Sequence, residues 1–567
     1  MRASHASLRL LLLIVFGCLA GAATFAWYAP QGALDPRSVF WESPPHDIAA
    51  GLIGHLLLIK SPWSFPLLLA QKLEQPGGRV VLFQDSNPAV SLVCKVIGAR
   101  DGCYPEWYFL SYVLQGAAGA FLAWAIGVRP FVLRALTIGL VLTLPAYLGR
   151  YNFGHINLTA HFVILLSIAA YFLHKRQPRP LWLIVEGLCV LLAAAIHPYL
   201  VIMCIAIAGA TYADALFGRR PTIGTVVTLV AAFAVLMPSW MFCLGYFYED
   251  GRSPADFGHN SMNLASPLVP QKSWLAPWDT PVIDATGGQA EGMNYLGAGL
   301  ILLLAVSLGL RWRNLPTEAR KHISLLVALS GLLALALSNQ VYFLGYHLLD
   351  IGGRLSADNP LHNFRASGRF FWPIAYCLVV FAVLGLNRVW GRRQAAVAGL
   401  ALGALSVQIL DTQTYRSGLP VASPMAEQAQ TVMQLVGSAE RIRFAQSYHC
   451  NSYEEYFCPP DTQTPCAKRP GPDPQSLEDE IALAAARRGL AVENLWWGRE
   501  STARGPRRCQ ERLDTVLSTS LAPEEALVLL EPGIENVQRL SEWQERTGTN
   551  CSRFSSGWVC TPSRAGS

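Results

Sequence analysis

LLLLIVFGCLAGAATFAWYA, residues 10–29, is an unbroken apolar run of the length a helix needs to cross a hydrocarbon layer, roughly 20 residues. Arg2 and Arg9 precede it, so a cleaved leader is one reading. A leader's apolar core runs only about 7–15 residues, however, and this run exceeds it. It is read as the first of many uncleaved spans, at about 8–28. Ten more segments of the same kind follow, at about 106–126, 131–149, 156–173, 181–196, 199–217, 224–248, 294–310, 322–338, 370–387 and 394–411. The sequence therefore predicts a polytopic α-helical membrane protein with eleven spans.

Composition agrees. Of 567 residues, 52% are hydrophobic and 14% are charged, whereas an ordinary soluble domain carries about 25% charged residues. That deficit excludes a disordered chain, a basic nucleic-acid-binding protein and a single soluble enzyme domain. The net charge of +6 is unevenly placed: residues 412–567 carry −3 and the rest +9. A basic membrane part, 1–411, is expected to carry a mildly acidic soluble domain, 412–567.

Orientation follows from the short loops. With the N-terminus in the cytoplasm, the cytoplasmic connections hold Arg129 and Arg134, Lys175, Arg176 and Arg179, Arg219 and Arg220, Arg311, Arg313, Arg320 and Lys321, and Arg388, Arg392 and Arg393. The short opposite loops hold little beyond Arg150. This is the positive-inside asymmetry, repeated at each turn, and an odd number of spans delivers the tail to the periplasm of a bacterial inner membrane. Six of the 13 cysteines lie in that tail, Cys450, Cys458, Cys466, Cys509, Cys551 and Cys560. An even count in an exported domain predicts disulfides, with 15 pairings open; a zinc site, the alternative, finds no CxxC pair. Cys94 and Cys103 are a further candidate pair, and the other five cysteines fall in spans as small apolar residues.

The expected outside mass is 29–105, 249–293, 339–369 and the tail, while the inside loops are short. In SPPHDIAAGLIGHLLLIKSPWSFPL (43–67), Ile48, Leu52, Ile53, Leu56 and Leu57 recur at helical spacing, which predicts an amphipathic helix along the bilayer surface. Asp47 stands at its start, an N-cap on the plain reading and a catalytic carboxylate on the sharper one. Asp85 in FQDSNP (83–88) allows the same two readings. NFRASGRFFWP (363–373) places Arg365 and Arg369 four apart; as guanidinium forks they suit a phosphate, and as interfacial arginines they would only snorkel. His46, His155, His197, Asn263, Glu291 and Asn294, in or near outside loops, are candidate substrate contacts. No HExxH, Walker sequence, GxGxxG or GxSxG occurs, which leaves metalloprotease, nucleotide and serine-hydrolase readings without support. In the tail, 442–450 and 526–532 read as strands, 476–489 and 535–548 as helices, and 459–475 as a Pro-rich loop, an α/β pattern.

An N-terminal span, a large outside loop with an acid heading a helix, a polytopic bundle and an exported tail together resemble the GT-C superfamily of membrane glycosyltransferases. SPPHDIAAGLIGHLLLIKSPWSFPL, VLFQDSNPAVSLVCK, GHINLTAHF, SMNLASPLVP, GGQAEGMNYLG and FRASGRFFWP more closely resemble an uncharacterised family of bacterial polytopic proteins thought to be GT-C-like, over roughly 8–411. The resemblance implies a sugar donor on a polyprenyl phosphate, a glycan, lipid or protein acceptor arriving from the periplasm, Asp47 as general base and Asp85 as a second acid. Arg365, Arg369 and Lys95 would then hold the leaving phosphate. A divalent metal is left open, because His46 rather than a second acid precedes Asp47. Rival readings are a lipid-linked glycan flippase or transporter, for which Glu186 is the one clear intraspan acid, an O-antigen ligase or polymerase, and a non-enzymatic envelope protein.

Overall fold

A computed structural model of the chain describes residues 2–74, 77–84, 86–99, 102–248, 257–276, 283–351, 359–421, 423–445, 474–493, 495, 513–530 and 534–563. Its helices are α1 (Arg2–Tyr28), α2 (Val39–Glu42), α3 (His46–Lys60), α4 (Pro88–Ile97), α5 (Tyr104–Ala125), α6 (Phe131–Leu142), α7 (Pro145–Asn152), α8 (Phe162–Arg176), α9 (Pro180–Ile196), α10 (Pro198–Gly218), α11 (Ile223–Leu244), α12 (Ala298–Arg311), α13 (Leu315–Lys321), α14 (Ile323–Leu337), α15 (Trp372–Val389), α16 (Gln394–Asp411), α17 (Ala426–Val436), α18 (Pro474–Arg488) and α19 (Ile534–Thr547). Among the described residues, nine helical segments are long and apolar enough to cross a bilayer, and the chain is a multi-pass membrane protein. All eleven expected spans are helical, but α9 and α14, with 17 and 15 residues, fall short of that length.

The chain divides into two compact units. The first holds Met1–Leu34, Pro105–Met241 and Ala255–Leu419, and is the helix bundle. Here α9 packs on α8 and α10, α10 on α14, and α12 on α15 and α16. The crossing of α1 and α5 is set by glycine: a Cβ on Gly17 would stand 2.4 Å from the Gly116 carbonyl oxygen, and one on Gly116 would stand 2.1 Å from that of Gly17. Backbones approach this closely only where a small residue leaves room, the usual device between helices that gain nothing from hydrophobic exclusion in lipid.

The second unit holds Asp35–Tyr104, Phe242–Pro254 and Pro420–Ser567, so the first long loop folds with the tail. Strands β5 (Arg441–Phe444), β6 (Ala491–Glu493), β7 (Glu525–Leu530), β8 (Asn550–Phe554) and β9 (Gly557–Thr561) form one sheet in the order β6-β5-β7-β9-β8. The β6-β5-β7 part is parallel and β7-β9-β8 antiparallel. Arg441 and Arg443 of β5 each bridge Glu493 and Glu525, at 2.8–3.3 Å, so opposite charges on neighbouring strands cancel where the sheet buries them. Strands β1 (Leu69–Ala70) and β2 (Arg79–Val80) make a small ribbon in the loop part.

α3 is the helix expected on the bilayer surface, and the structure corrects that expectation. Ile48, Leu52, Ile53, Leu56 and Leu57 are buried, because α3 packs on α18; Lys60 Nζ donates to the Arg487 carbonyl at the end of α18. The exposed apolar stripe lies instead on α4, at Val93, Val96 and Ile97. A disulfide joins Cys94 to Cys103, and another joins Cys551 to Cys560 across the β8–β9 pair. Cys450, Cys458, Cys466 and Cys509 lie outside the described residues. The five cysteines read as span residues, Cys18, Cys189, Cys204, Cys243 and Cys377, are free thiols.

Candidate functional site

In the bundle unit, polar side chains collect where α7, α10 and α15 begin or end on the same side. Proline stands in the first turn of all three helices, with its fixed φ suited to that place and no N–H left unpaired there. Arg150, near the end of α7, is 1% exposed. Its Nη1 lies 3.3 Å from His155 Nδ1. The Arg150 guanidinium also lies 5.0 Å from the Phe153 ring and 5.3 Å from that of Trp372, within cation–π range.

Arg369, just before α15, donates from Nη2 to Glu291 Oε2 at 2.6 Å and lies 5.1 Å over the Tyr199 ring. Two loops make this pair. A Cβ on Gly368 would stand 2.6 Å from Gly292 Cα, so the glycines in GGQAEGMNYLG and FRASGRFFWP let these backbones touch. Asn294 Nδ2 stitches the contact, donating to the carbonyls of Gly292 and Gly368 at 2.9 Å each. Tyr199 completes the frame: its hydroxyl accepts from the Ala366 N–H at 2.8 Å, and its ring packs against Phe364 and Phe370.

Burial pushes the Glu291 carboxyl up, but Arg369, His155, Arg150 and Arg365 together bring it down to about 2. It is therefore ionised at any ordinary pH. Among the described residues, three guanidinium groups and one imidazole act on this one carboxylate. Such an excess of fixed cations in a buried setting is suited to an anion with several oxygens, since Arg forks match phosphate geometry.

The remaining expected site residues are placed as follows. Arg365 is half-buried and joins the cluster acting on Glu291. His197 stands at the head of α10, where its Nδ1 accepts from the Tyr199 N–H at 3.2 Å. Asn263 is structural, its carboxamide bound to Gln289 Oε1, the Ala265 N–H and both main-chain groups of Leu344. Lys95 belongs to the other unit, where Nζ donates to the Pro62 carbonyl at 3.1 Å and lies 4.7 Å over the Trp63 ring; burial lowers its pKa. Asp47, in that same unit, is half-buried and stands in the first turn of α3, whose N-cap is Pro45, so the capping reading of Asp47 is replaced by a charge–dipole one. Asp85 and the side chain of His46 lie outside the described residues.

Sequence reasoning passes over Arg150 as a loop charge and misses Tyr199. It also misses Asp411, whose Oδ2 accepts from Tyr295 Oη at 2.9 Å and from the Ala298 N–H at 2.8 Å, capping α12 from a distant helix. Among the described residues, no group of three or more His, Cys, Asp or Glu side chains is arranged to hold a metal ion.

A family model described as "Domain of unknown function (DUF6311)" matches residues 18–413, most of the chain, and the protein belongs to that family. No curated protein matches it.

Proposed function

With that family membership as premise, we propose that the protein is a GT-C-like membrane glycosyltransferase that moves a sugar from a polyprenyl-phosphate donor to an acceptor on the periplasmic face of the inner membrane. The observation that carries this reading is the cation cluster, with Arg150 and Arg369 buried and Arg365 half-buried, against the carboxylate of Glu291. As the glycosidic bond breaks, negative charge builds on the leaving phosphate, and preorganised donors in a water-poor setting stabilise that charge most where it develops. Glu291, held at about 2, is too weak a base to take an acceptor proton. Its part is to aim Arg369. The base is assigned to Asp47.

The topology follows the same reading. The second unit faces the periplasm, in keeping with the two disulfides among its described residues, which persist in oxidising compartments, and the N-terminus faces the cytoplasm, in keeping with the arginine-rich short loops.

Purified full-length protein in detergent, given a polyprenyl-phosphate-linked sugar and a mixture of envelope acceptors, should release free polyprenyl phosphate and glycosylate an acceptor. Arg365→Ala should weaken donor-lipid binding at least tenfold, and Arg365→Lys should restore little of it because it lacks the fork. Donor binding unchanged in Arg365→Ala would leave that arginine a mere anchor. Movement of the intact donor across vesicles without transfer would favour the flippase.

A further inference from the structure

α14 is followed by an antiparallel ribbon, β3 (Gln340–Phe343) and β4 (Tyr346–Asp350), which the proposed transfer chemistry does not use. Its side chains are unlike those of a water-facing turn. Phe343, Tyr346, Leu348 and Leu349 are 45%, 73%, 59% and 53% exposed. Val341 pairs with Leu349 and Tyr342 with His347, so Leu348 is the extra residue of a bulge. A lone two-stranded ribbon is marginal in water at best, and adjoining exposed apolar side chains mark a surface meant to be covered.

The ribbon is nonetheless held firmly. Leu344, at its turn, has φ +52°, a left-handed backbone that a leucine adopts only when its surroundings impose it. Asn263 imposes it, with Nδ2 donating to the Leu344 carbonyl at 2.8 Å and Oδ1 accepting from the Leu344 N–H at 3.0 Å. The Leu264 N–H donates to the Tyr342 carbonyl at 2.9 Å, and the Tyr342 and His347 rings stack at 4.6 Å.

Length says what covers it. The 15 residues of α14 rise roughly 22 Å, against a hydrocarbon thickness of about 30 Å. A chain that enters at one boundary as α14 thus leaves its last helical residue short of the other boundary, and β3 begins three residues later. Four strand residues add roughly 13 Å, which carries the chain out through the interface. We propose that the ribbon 340–350 lies in the headgroup layer of the bilayer, with Phe343, Tyr346, Leu348 and Leu349 against lipid. Its open strand edges keep it out of the hydrocarbon, where unpaired backbone groups find no partner. An aromatic and leucine-rich tip with His347 and Asp350 beside it suits that layer, where rings are apolar on one side and wet on the other. The inference rests on the membrane-spanning reading and not on the transferase reading.

The test uses full-length protein in vesicles of phosphatidylethanolamine and phosphatidylglycerol, carrying Leu348→Cys or Tyr346→Cys with a nitroxide label. Protein without the added cysteine supplies the background from native thiols. Both sites are exposed, so neither change disturbs packing. Oxygen, which concentrates in lipid, should relax both labels more than a water-soluble nickel chelate does. Relaxation dominated by nickel at both sites would place the ribbon in water and overturn the proposal. Labels reached by neither agent would mean that protein covers the ribbon, which also overturns it. Sugar transfer is measured separately on the same vesicles, so its presence or absence decides the catalytic reading alone.

Discussion

Arg369 and Glu291 meet at 2.6 Å across two loops that touch through Gly292 and Gly368, and the pair is electrically lopsided. Arg150, Arg365 and His155 also act on Glu291. Removing Arg369 therefore leaves a carboxylate that still has cationic neighbours, whereas removing Glu291 leaves guanidinium groups facing one another. Glu291→Gln should cost more stability than Arg369→Ala, on the order of 2 kcal/mol against 1. Thermal unfolding of the two variants in detergent checks the order. Added pyrophosphate, standing in for the missing carboxylate, should raise the midpoint of Glu291→Gln more than that of the unsubstituted protein. The reverse order of stabilities would mean that the cluster does not carry excess positive charge.

The disulfides make a second prediction. Cys551 and Cys560 are direct partners across β8 and β9, and Cys94–Cys103 ties α4 to the segment before Tyr104. Each closes a short loop, worth about 2–3 kcal/mol on the chain-entropy account. Non-reducing peptide mapping of membrane-isolated protein should recover both linked pairs. Reductant should lower the unfolding midpoint of the unit that contains them and spare the bundle. Four free thiols at these positions would defeat the oxidising-compartment assignment.

How much of this is legible in the sequence depends on what each signal measures. Hydropathy marks the long helices of the bundle because lipid-facing and bundle-facing residues are both apolar, so positions such as 131–149 and 394–411 stand out. It says nothing about what a helix touches outside the membrane. Ile48, Leu52 and Leu57 have the spacing of an apolar face whether lipid or α18 covers it, and α18 does. Arg365 and Arg369 are visible as an outward doublet, and Glu291 as an acid among glycines, but the pairing of Arg369 with Glu291 across 78 residues leaves no local trace. Arg150 passes unnoticed because one arginine in a short loop fits the charge rule, and only burial reveals it. Asn263 and His197 look like ligands in sequence because amides and imidazoles are versatile; in the structure Asn263 also holds the Leu344 main chain and His197 Nδ1 accepts from the Tyr199 N–H.

Acidification should weaken the second unit through one buried histidine. His55 lies in the second unit, with Nε2 3.1 Å from the Gly102 carbonyl and Nδ1 2.9 Å from Ser91 Oγ. A carbonyl only accepts, so Nε2 carries a proton. Burial pushes its pKa from 6.5 down to about 4, despite the Gly102 contact that opposes the shift. As pH falls below 6.5 the unfolded chain binds a proton that the folded one refuses. Stability that is complete above 6.5 is therefore lost progressively towards pH 4, by on the order of 3 kcal/mol. Glu291 acts lower: its folded value of about 2 against 4.5 protects the bundle until pH falls below about 4.5. Chemical denaturation from pH 7 to 4 should show a slope for the second unit that flattens in His55→Gln.

The last prediction concerns Asp47. Its position in the first turn of α3, behind a Pro45 N-cap that makes no side-chain bond, changes what its replacement reports. Asn at an N-cap would be silent, but within the first turn it gives up a favourable charge–dipole interaction, worth about 0.3–1 kcal/mol. That loss is small and shows as stability alone. A base is different: Asn keeps the shape and cannot take a proton, so turnover should fall by roughly 10²-fold or more. Asp47→Asn is therefore expected to transfer sugar at least a hundredfold more slowly while its unfolding midpoint barely moves, and Asp47→Glu should recover part of the rate. Asp85→Asn is the matched comparison, because the resemblance to the superfamily allows a second acid there. Normal transfer by Asp47→Asn with a dead Asp85→Asn would move the base to Asp85. Full activity in both would mean that neither carboxylate takes the acceptor proton, and the transfer chemistry proposed for this protein would lose its base.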